Sequence, residues 1–236
     1  MNADQLVAHR GYPQQITENT LASVKAAVDA GARYVEVDIQ LTEDQQPVLF
    51  HDRNLQRLAN NEHAVNQLTW SALQKLRLSQ SLKIPHLEEL VAYIQLTPEV
   101  LFFIEIKRNS IEAFSVPIVV DIILEVLKPV LQQCIIISYS LDALVYVRQC
   151  GDGPIGVVVD QWHEHHQQEI LDLNAEYFFC DLASLPKNES IKLEKSKLVV
   201  FETVDIELAN ELLHRGVDLV ETFSIGTMIK AEAEAE

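Results

Sequence analysis

Short apolar runs alternate with stretches of helical periodicity along the whole chain. Apolar residues recur at i, i+3 and i+4 most clearly over 119–130, and again over 87–94 and 208–213, which predicts amphipathic helices. The intervening runs, for example CIIIS and LVVF, are continuously apolar, which is typical of parallel strands buried on both faces. The predicted strands are residues 6–9, 34–40, 101–107, 135–140, 155–159, 177–181, 198–201 and 219–222.

Eight such strands in 236 residues favour an α/β fold, the TIM (β/α)₈ barrel. The competing architecture, a doubly wound open sheet, usually has a glycine-rich first turn. The chain has only seven glycines, and the turn after its first strand is not rich in them. We therefore predict one barrel domain over residues 1–230, followed by a disordered AEAEAE tail at 231–236.

One segment departs from the regular alternation. PVLFHD at 47–52 follows the second strand after only TEDQQ, which leaves no room for a crossover helix. An antiparallel hairpin is therefore expected, with His51 opposite Glu36 or Val37. The irregular stretch that follows, residues 53–85, is predicted to be an inserted, cap-like excursion, because long loops on a barrel's catalytic face often shape its pocket.

The composition restricts the possible partners. Hydrophobic residues make up 48% of the chain, enough for a sizeable core, while 35 acidic and 18 basic residues leave a net charge of −17. A surface this acidic repels nucleic-acid backbones and anionic lipid, so we expect no nucleic-acid partner and no stable membrane insertion. Local acidity is instead suited to holding a divalent cation.

The sequence also predicts a compartment. The three cysteines are widely spaced and indicate neither a disulfide framework nor a zinc site. The longest stretch without Asp, Glu, Lys or Arg, residues 129–141, is too short to span a bilayer. The opening residues MNADQLVAHRG lack the basic and apolar regions of a signal peptide. We therefore expect a cytoplasmic protein.

Acidic residues stand near the ends of two predicted strands. Glu36 and Asp38 are two residues apart on one strand, so their side chains point to the same side, and Glu105 follows LFFI on the next barrel strand. If that side is the barrel interior, the carboxylates need a partner, and a divalent cation would supply it; otherwise they lie in solvent. Oxygen ligands suit Mg²⁺, Ca²⁺ or Mn²⁺ rather than zinc. Lys107 either neutralises Glu105 or binds an anion.

Two further strands end in residues suited to proton transfer and anion binding. His9-Arg10-Gly11 closes the first strand, and His51-Asp52 closes the hairpin. Histidine titrates near neutrality, and arginine presents a bidentate fork to phosphate. A single histidine at a strand end is commonly ordinary loop chemistry, but two beside three carboxylates favour an active site. By contrast, the HEHH segment at 163–166 is interpreted as a solvated helix start.

The order of these motifs resembles the glycerophosphodiester phosphodiesterase family. That family has an H-R-G…E-N-T stretch, a small-residue helix, an E-x-D strand, a T-x-D turn, an H-D pair and an E-x-K strand. All are present here in the same order, from HRG through TENTLASVKAAVDAGARYVEVDIQLTEDQQPVLFHD to LFFIEIK. SYSLDALVYVRQ and FETVDIELANELLHRGVDLVETF are similar to its C-terminal half more loosely.

The resemblance implies roles for the matching residues. Glu36, Asp38 and Glu105 are implied as ligands of one divalent cation, Mg²⁺ or Ca²⁺, with Mn²⁺ as a further option. His9 and His51 are implied as the catalytic acid and base, without a division of the two roles between them. The resemblance also implies a TIM barrel in which 53–85 is the family's inserted cap.

Four more residues match the family's pattern. Arg10 and Lys107 are implied to contact the substrate phosphate. Glu18 and Asn19, from the E-N-T element, are implied to support Arg10 or the edge of the site. The last strand departs from the pattern, because Phe223 stands where the family often has Asp, and this bears on substrate preference.

The implied reaction is hydrolysis of a small glycerophosphodiester, such as glycerophosphocholine or glycerophosphoethanolamine, to glycerol 3-phosphate and an alcohol. One alternative is a lysophospholipase D-type reaction on a lipid, for which 53–85 offers apolar residues. A second is a non-catalytic module that binds phosphodiesters. Loss of a carboxylate or a histidine would be the signature of such a module, and none is lost here.

Overall fold

Eight parallel strands close into a barrel in the computed structural model, which describes residues 2–187 and 189–233. The first strand completes the cylinder, because it pairs with both the second strand and the last. One further short strand pairs in the antiparallel direction with the second. In chain order the strands are β1 Leu6–Ala8, β2 Tyr34–Leu41, β3 Pro47–Leu49, β4 Leu101–Ile106, β5 Cys134–Ser138, β6 Ile155–Val159, β7 Tyr177–Asp181, β8 Lys197–Phe201 and β9 Leu219–Thr222.

Helices pack around the outside of this barrel. The α-helices are α1 Leu21–Asp29, α2 Gln56–Ala59, α3 Trp70–Leu73, α4 Leu87–Ile94, α5 Arg108–Phe114, α6 Val116–Leu127, α7 Leu141–Cys150, α8 Gln168–Asp172, α9 Ile206–Arg215 and α10 Ile225–Ala233. The periodicity that predicts helices near 87–94, 119–130 and 208–213 is confirmed by α4, α6 and α9. No helix in the described part of the chain has both the length and the apolar character needed to cross a bilayer.

The predicted TIM barrel is confirmed, but three strands end earlier than predicted. Those expected at 6–9, 101–107 and 135–140 end at Ala8, Ile106 and Ser138. Arg10 has a left-handed backbone conformation, with φ 57°, which ends the extended backbone of the first strand. Lys107 still has an extended backbone, but it is the N-cap of α5, where the helix begins. His9 and Lys107 therefore stand directly after their strands, at the mouth of the barrel.

The predicted hairpin is also confirmed, with a shorter second strand than the expected 47–52. β3 pairs antiparallel with β2, and Ile39 lies opposite Leu49. The Phe50 N–H still donates to the Asp38 carbonyl at 3.0 Å. Continued by one residue, this register sets His51 opposite Val37, which is one of the two predicted positions.

Alternation along the strands sends the acidic residues into the barrel. On β2, Val35, Val37 and Ile39 pack outward in the core between strands and helices. Glu36 and Asp38 therefore point inward. The interior below them is filled by a separate apolar cluster, whose buried members are Val7, Phe103, Ile135, Ile137, Val158, Tyr177, Phe179, Val199 and Leu219.

The excursion at 53–85 packs, together with Val48 and Phe50 of the hairpin, in a hydrophobic cluster separate from the barrel core. Its two α-helices, α2 and α3, are single turns of four residues, which agrees with the irregular pattern of the sequence. Leu58, Leu68 and Trp70 are partly buried against this cluster. Its fully packed members are Val48, Phe50, Leu55, Val65, Leu73, Leu78 and Ile84.

The end of the chain differs from the prediction. A disordered tail is expected at 231–236, but α10 continues to Ala233. Alanine and glutamate are strong helix formers, so they extend a helix already begun. Residues 234–236 lie outside the described residues.

Three glycines in the second half of the chain have the spacing of a dinucleotide-binding motif, but they do not lie between a strand and the helix that follows it. Gly151, Gly153 and Gly156 follow the pattern G-x-G-x-x-G. Gly151 and Gly153 lie between α7 and β6, and Gly156 is the second residue of β6, so the turn leads from a helix into a strand. A dinucleotide-binding turn needs the reverse order, and this spacing therefore marks no phosphate site.

The β2–β3 turn generates a stability prediction. Gln45 has φ 58°, a left-handed conformation that costs a residue with a side chain roughly 1–2 kcal/mol. Glycine adopts it freely, at an entropic cost of about 0.5–1 kcal/mol. We expect Gln45→Gly to raise the free energy of unfolding by about 0.5–1 kcal/mol, measured by urea denaturation.

A matched control is Gln46→Gly, because Gln46 has no left-handed backbone. This control should lower the free energy of unfolding, since only the entropic cost of glycine remains. Equal effects of the two substitutions would contradict the assignment of strain to Gln45.

Candidate active site

The predicted functional residues meet in one cavity of about 80 Å³ at the carboxyl ends of the strands. This is the end of a TIM barrel at which active sites lie. Asp38 adjoins the lining, 3.1 Å from the Lys107 amine. The acidic, basic and histidine side chains of the lining are those of His9, Arg10, Glu36, His51, Glu105, Lys107 and Glu221, and the other lining residues are Ile137, Tyr139, Val158, Phe179 and Phe201.

The three predicted carboxylates form a compact cluster. Oxygens of Glu36, Asp38 and Glu105 lie within 4.8 Å of one another. Their exposed fractions are 1%, 0% and 9%, so the alternative of solvent-exposed acids is wrong. One oxygen of Glu36 is buried with no hydrogen-bond partner. A compact set of oxygen donors with an unsatisfied acceptor can hold a divalent cation.

A fourth carboxylate, from Glu221 on β9, enters the same cavity. It is 2% exposed, and one of its oxygens also has no hydrogen-bond partner. The site contains four buried carboxylates, whereas the lysine and arginine side chains of this lining are those of Arg10 and Lys107. Because buried charge needs compensation, the site favours either added protons or a bound cation.

The pKa values of these buried carboxyl groups shift in different directions. Burial raises the pKa of Glu36 well above its usual range, and the neighbouring carboxylates Asp38 and Glu221 raise it further. Burial has the same effect on the pKa of Glu221, with Glu202 and Glu105 adding to it. Burial also opposes ionisation of Asp38, but Lys107 and Arg10 overcome this and hold its pKa below the usual range.

The first βα loop is bent tightly around Arg10. The Arg10 N–H donates to Glu36 at 3.0 Å, and its carbonyl accepts a hydrogen bond from the Ser23 hydroxyl at 3.2 Å. Gly11 follows with φ 87°, and a Cβ there would lie 2.7 Å from the Ser23 carbonyl carbon. Glycine is therefore required at this position, which accounts for the G of the H-R-G motif.

The E-N-T element supports the site residue by residue. Glu18 pairs with Arg10 at 2.9 Å. Asn19 donates to the Asp38 carboxylate at 2.7 Å and accepts from the Asp38 N–H at 3.0 Å. Thr20 caps α1 by accepting from the Ser23 N–H at 3.1 Å. Three consecutive residues of this motif thus hold the Arg10 side chain, the Asp38 carboxylate and the start of α1.

Lys107 lies between two members of the acidic cluster. Its amine is 2.8 Å from Glu105 and 3.1 Å from Asp38. Burial works against the charged amine, but these two carboxylates raise its pKa above the usual value. The expected neutralisation of Glu105 is therefore present in the structure, and Lys107 stays a cation facing the cavity.

Each of the two histidines has a carboxylate within hydrogen-bond distance of its Nδ1 atom. His9 Nδ1 lies 2.6 Å from Glu202, and His51 Nδ1 lies 2.9 Å from Asp52. Burial lowers the pKa of His9, and the hydrogen bond to Glu202 opposes this shift. Asp52 is held in turn by Arg57 at 2.6 Å.

Arg57 joins the excursion to the barrel. From α2 it contacts both Asp52 and Glu18, the latter at 2.7 Å. Glu18 thereby connects Arg57 to Arg10. These pairs hold the segment that follows His51 against the loop that follows His9.

Sequence reasoning missed the acidic residues Glu202 and Glu221, and it gave Phe223 a bearing only on substrate preference. All three residues lie on or directly after the last two barrel strands. Glu202 follows β8 directly, and Glu221 is on β9, two residues after the inward-facing Leu219. Phe223 stacks on the His9 ring with centroids 4.8 Å apart, and its ring lies 5.5 Å from the Arg10 guanidinium. An acid in the apolar run LVET was the available signal for Glu221.

The HEHH segment lies away from this cavity. His163 and His166 are exposed, as predicted for a solvated face, whereas His165 is half-buried against Trp162. The segment is a 3₁₀ turn, Trp162–His166, that precedes α8. These histidines are not part of a metal-ligand cluster within the described residues.

Known proteins are similar to this chain in sequence. A glycerophosphodiester phosphodiesterase of Caldanaerobacter subterraneus subsp. tengcongensis is 30% identical over 213 residues, 80% of this chain and 83% of that protein. Human glycerophosphodiester phosphodiesterase 1 is 35% identical over 116 residues, which are 45% of this chain and 35% of the human protein.

Solved structures extend the comparison to the fold. An Oleispira antarctica phosphodiesterase, in complex with the product sn-glycerol-3-phosphate, superimposes with a TM-score of 0.86 at 25% identity. The match covers 97% of this chain and 96% of that one. A glycerophosphodiester phosphodiesterase from Thermotoga maritima has the same fold, with a TM-score of 0.78 at 23% identity over 96% of this chain and 97% of that one.

The family assignment rests on a match over most of the chain. The model of the glycerophosphoryl diester phosphodiesterase family matches residues 9–221. That range begins at the first histidine of the site and ends at the fourth carboxylate. The family and this relative are named for phosphodiester hydrolysis, which favours an enzyme over a non-catalytic binding module. The chain belongs to the glycerophosphoryl diester phosphodiesterase family.

Proposed function

We propose that this chain hydrolyses small glycerophosphodiesters, such as glycerophosphocholine or glycerophosphoethanolamine, to glycerol 3-phosphate and an alcohol. The single observation that carries the proposal is the buried cluster of Glu36, Asp38 and Glu105 beside two histidines and two cations. The relative from Oleispira antarctica, which binds sn-glycerol-3-phosphate as product, supports the same substrate class. Residues 1–230 would act as one catalytic unit, with 53–85 as its cap.

The residues fit Mg²⁺ or Ca²⁺, and Mn²⁺ is compatible with the same ligands. Glu36, Asp38 and Glu105 offer only oxygen atoms, which these hard cations prefer. The unpartnered Glu36 oxygen and the excess of buried negative charge support a cation at this position. When bound, the cation would withdraw charge from the non-bridging phosphate oxygens.

Arg10 and Lys107 are proposed to bind the substrate phosphate. Both side chains line the cavity, and burial limits how far water can screen their charge. The Arg10 Nε–H is buried without a hydrogen-bond partner, which leaves a donor free for a phosphate oxygen. Together they would stabilise the charge that develops on phosphorus-bound oxygens during the reaction.

His9 and His51 are proposed to transfer the protons. Hydrogen bonds from each Nδ1 to a carboxylate leave each Nε2 free for the substrate. One Nε2 would take the proton from the nucleophile, either water or the glycerol hydroxyl of the substrate. The other would protonate the leaving oxygen, and a positioned group of this kind contributes roughly 10²–10⁴-fold in rate.

A lipid substrate is less well supported. The apolar residues that sequence analysis offers for an acyl groove pack into the cluster of the 53–85 segment, where Leu55 and Val65 are fully buried. Those side chains already contact one another and leave little apolar surface for an acyl chain. The lysophospholipase D-type reaction therefore stays the alternative.

We also propose a reducing, cytoplasmic environment. All three cysteines belong to the described residues, and all are free thiols. Cys150 is exposed, while Cys134 and Cys180 are buried. Free thiols persist in reducing compartments, whereas oxidising ones favour disulfides.

Removing the charge of a cluster carboxylate should weaken cation binding. We expect Glu36→Gln to weaken binding of Mg²⁺ and Ca²⁺ by on the order of 10²-fold, because a ligand oxygen loses its charge. Calorimetric titration of the chelator-treated protein with Mg²⁺, Ca²⁺ and Mn²⁺ in turn measures this and also ranks the metals. The surface variant Glu125→Gln, 76% exposed in its side chain, is the control and should bind like the parent. Parent-like affinity in Glu36→Gln would contradict the assigned site.

Removing either histidine should affect the chemical step. We expect His9→Asn and His51→Asn each to lower kcat for glycerophosphocholine by roughly 10²–10⁴-fold, because a proton-transfer group is lost. Product analysis for glycerol 3-phosphate and choline measures the rate. His163→Asn, at an exposed position outside the cavity, should leave kcat unchanged. A small effect at both His9 and His51 would refute the two-histidine assignment.

The substrate class can be tested with a matched pair of esters. We expect a higher kcat/KM for glycerophosphocholine than for lysophosphatidylcholine, because the buried apolar side chains of 53–85 pack against one another instead of facing an acyl chain. Both assays should be run with the same metal and should quantify released choline. The opposite order would favour the lysophospholipase D-type alternative.

A further inference from the structure

The His9 ring is held on two sides by residues from the last two barrel strands. Its Nδ1 lies 2.6 Å from a carboxylate oxygen of Glu202. Its face stacks on Phe223, with the planes 17° apart. The two contacts together restrict both the position and the rotation of the ring.

The contact with Glu202 also selects a tautomer. An ionised carboxylate only accepts hydrogen bonds, so Nδ1 must carry the proton that is donated. A neutral imidazole has only one ring proton, and Nε2 is therefore left as a bare acceptor. Nε2 is directed to the metal-site side of the cavity, 3.8 Å from Glu36.

We propose that Glu202 is a positioning residue for the reaction, which fixes His9 in the tautomer and orientation that present a bare Nε2 to the substrate. This inference rests on the proposed function and extends it to a residue outside the H-R-G, E-x-D, H-D and E-x-K motifs. The Asp52 carboxylate lies 2.9 Å from Nδ1 of His51, and whichever histidine acts as the acid would carry a second ring proton on Nε2. Each histidine would then have its own orienting carboxylate.

The geometry assigns this role to Glu202 rather than to Glu221. Glu221 is the other carboxylate near Nδ1, but its nearest oxygen is 3.8 Å away, beyond hydrogen-bond distance. Glu202 has a side chain 34% exposed and reaches His9 from the rim of the cavity. Loss of Glu202 therefore leaves Nδ1 without a carboxylate within hydrogen-bond distance.

Nitrogen-15 NMR of the histidine rings tests the tautomer independently of activity. At about pH 8, where a histidine with an ordinary pKa is neutral, we expect His9 of the parent to be protonated at Nδ1 and bare at Nε2. Comparison with His9→Asn assigns its signals among the eight histidines. In Glu202→Ala, we expect a mixture of tautomers. A His9 ring protonated at Nε2 in the parent would overturn the proposal.

Steady-state kinetics test the consequence for the reaction. For Glu202→Ala and Glu202→Gln, we expect kcat for glycerophosphocholine to fall by about tenfold or more, with KM nearly unchanged. The amide of Gln can donate as well as accept, so it no longer enforces one tautomer. Glu207→Gln removes an exposed acid from the first turn of α9 and should keep the parent's kcat.

The outcomes separate this inference from the proposed function. A parent without hydrolytic activity in any of the three metals would refute the proposed function, while the tautomer measurement would still decide the role of Glu202. An active parent whose Glu202 variants keep kcat, or lose only substrate affinity, would overturn the inference alone. Because Glu202→Gln preserves side-chain size, it serves if Glu202→Ala fails to fold.

Discussion

The burial of several carboxylates at one end of the barrel is the constraint on which the rest of the site depends. Glu36, Asp38, Glu105 and Glu221 converge where water is largely excluded, and like charges at this range repel strongly. A fold tolerates such a group only if hydrogen bonds, cations or protons compensate it. Most of the polar residues around the cluster supply such hydrogen bonds or positive charges.

Three of these carboxylates have partners that connect the site to the scaffold. Asn19 holds Asp38 with two hydrogen bonds, and Lys107 pairs with Glu105. Glu36 accepts from the Arg10 backbone, which is itself in a left-handed conformation. Unfavourable backbone conformations persist where the surroundings over-determine them, and here two polar contacts hold the carbonyl and the N–H of one residue.

Barrel closure brings the far end of the chain to the first histidine. β1 pairs with both β2 and β9. Strands β8 and β9 therefore lie on one side of His9, and β2 and β4, which carry the three clustered carboxylates, lie on the other. His9 thus contacts a carboxylate cluster from the first half of the chain and Glu202 and Phe223 from the last. The cavity is a product of the closed cylinder rather than of any one motif.

The sequence by itself determined the barrel and most of the cluster, because apolar periodicity and i, i+2 spacing are local properties of strands and helices. Glu36 and Asp38 share a face of one strand whatever surrounds them. The contact between His9 and Glu202 joins residues 193 positions apart and exists only because β1 meets β9. Only the tertiary structure decided which side chains complete the site, since long-range proximity depends on closure and register, which no local pattern encodes.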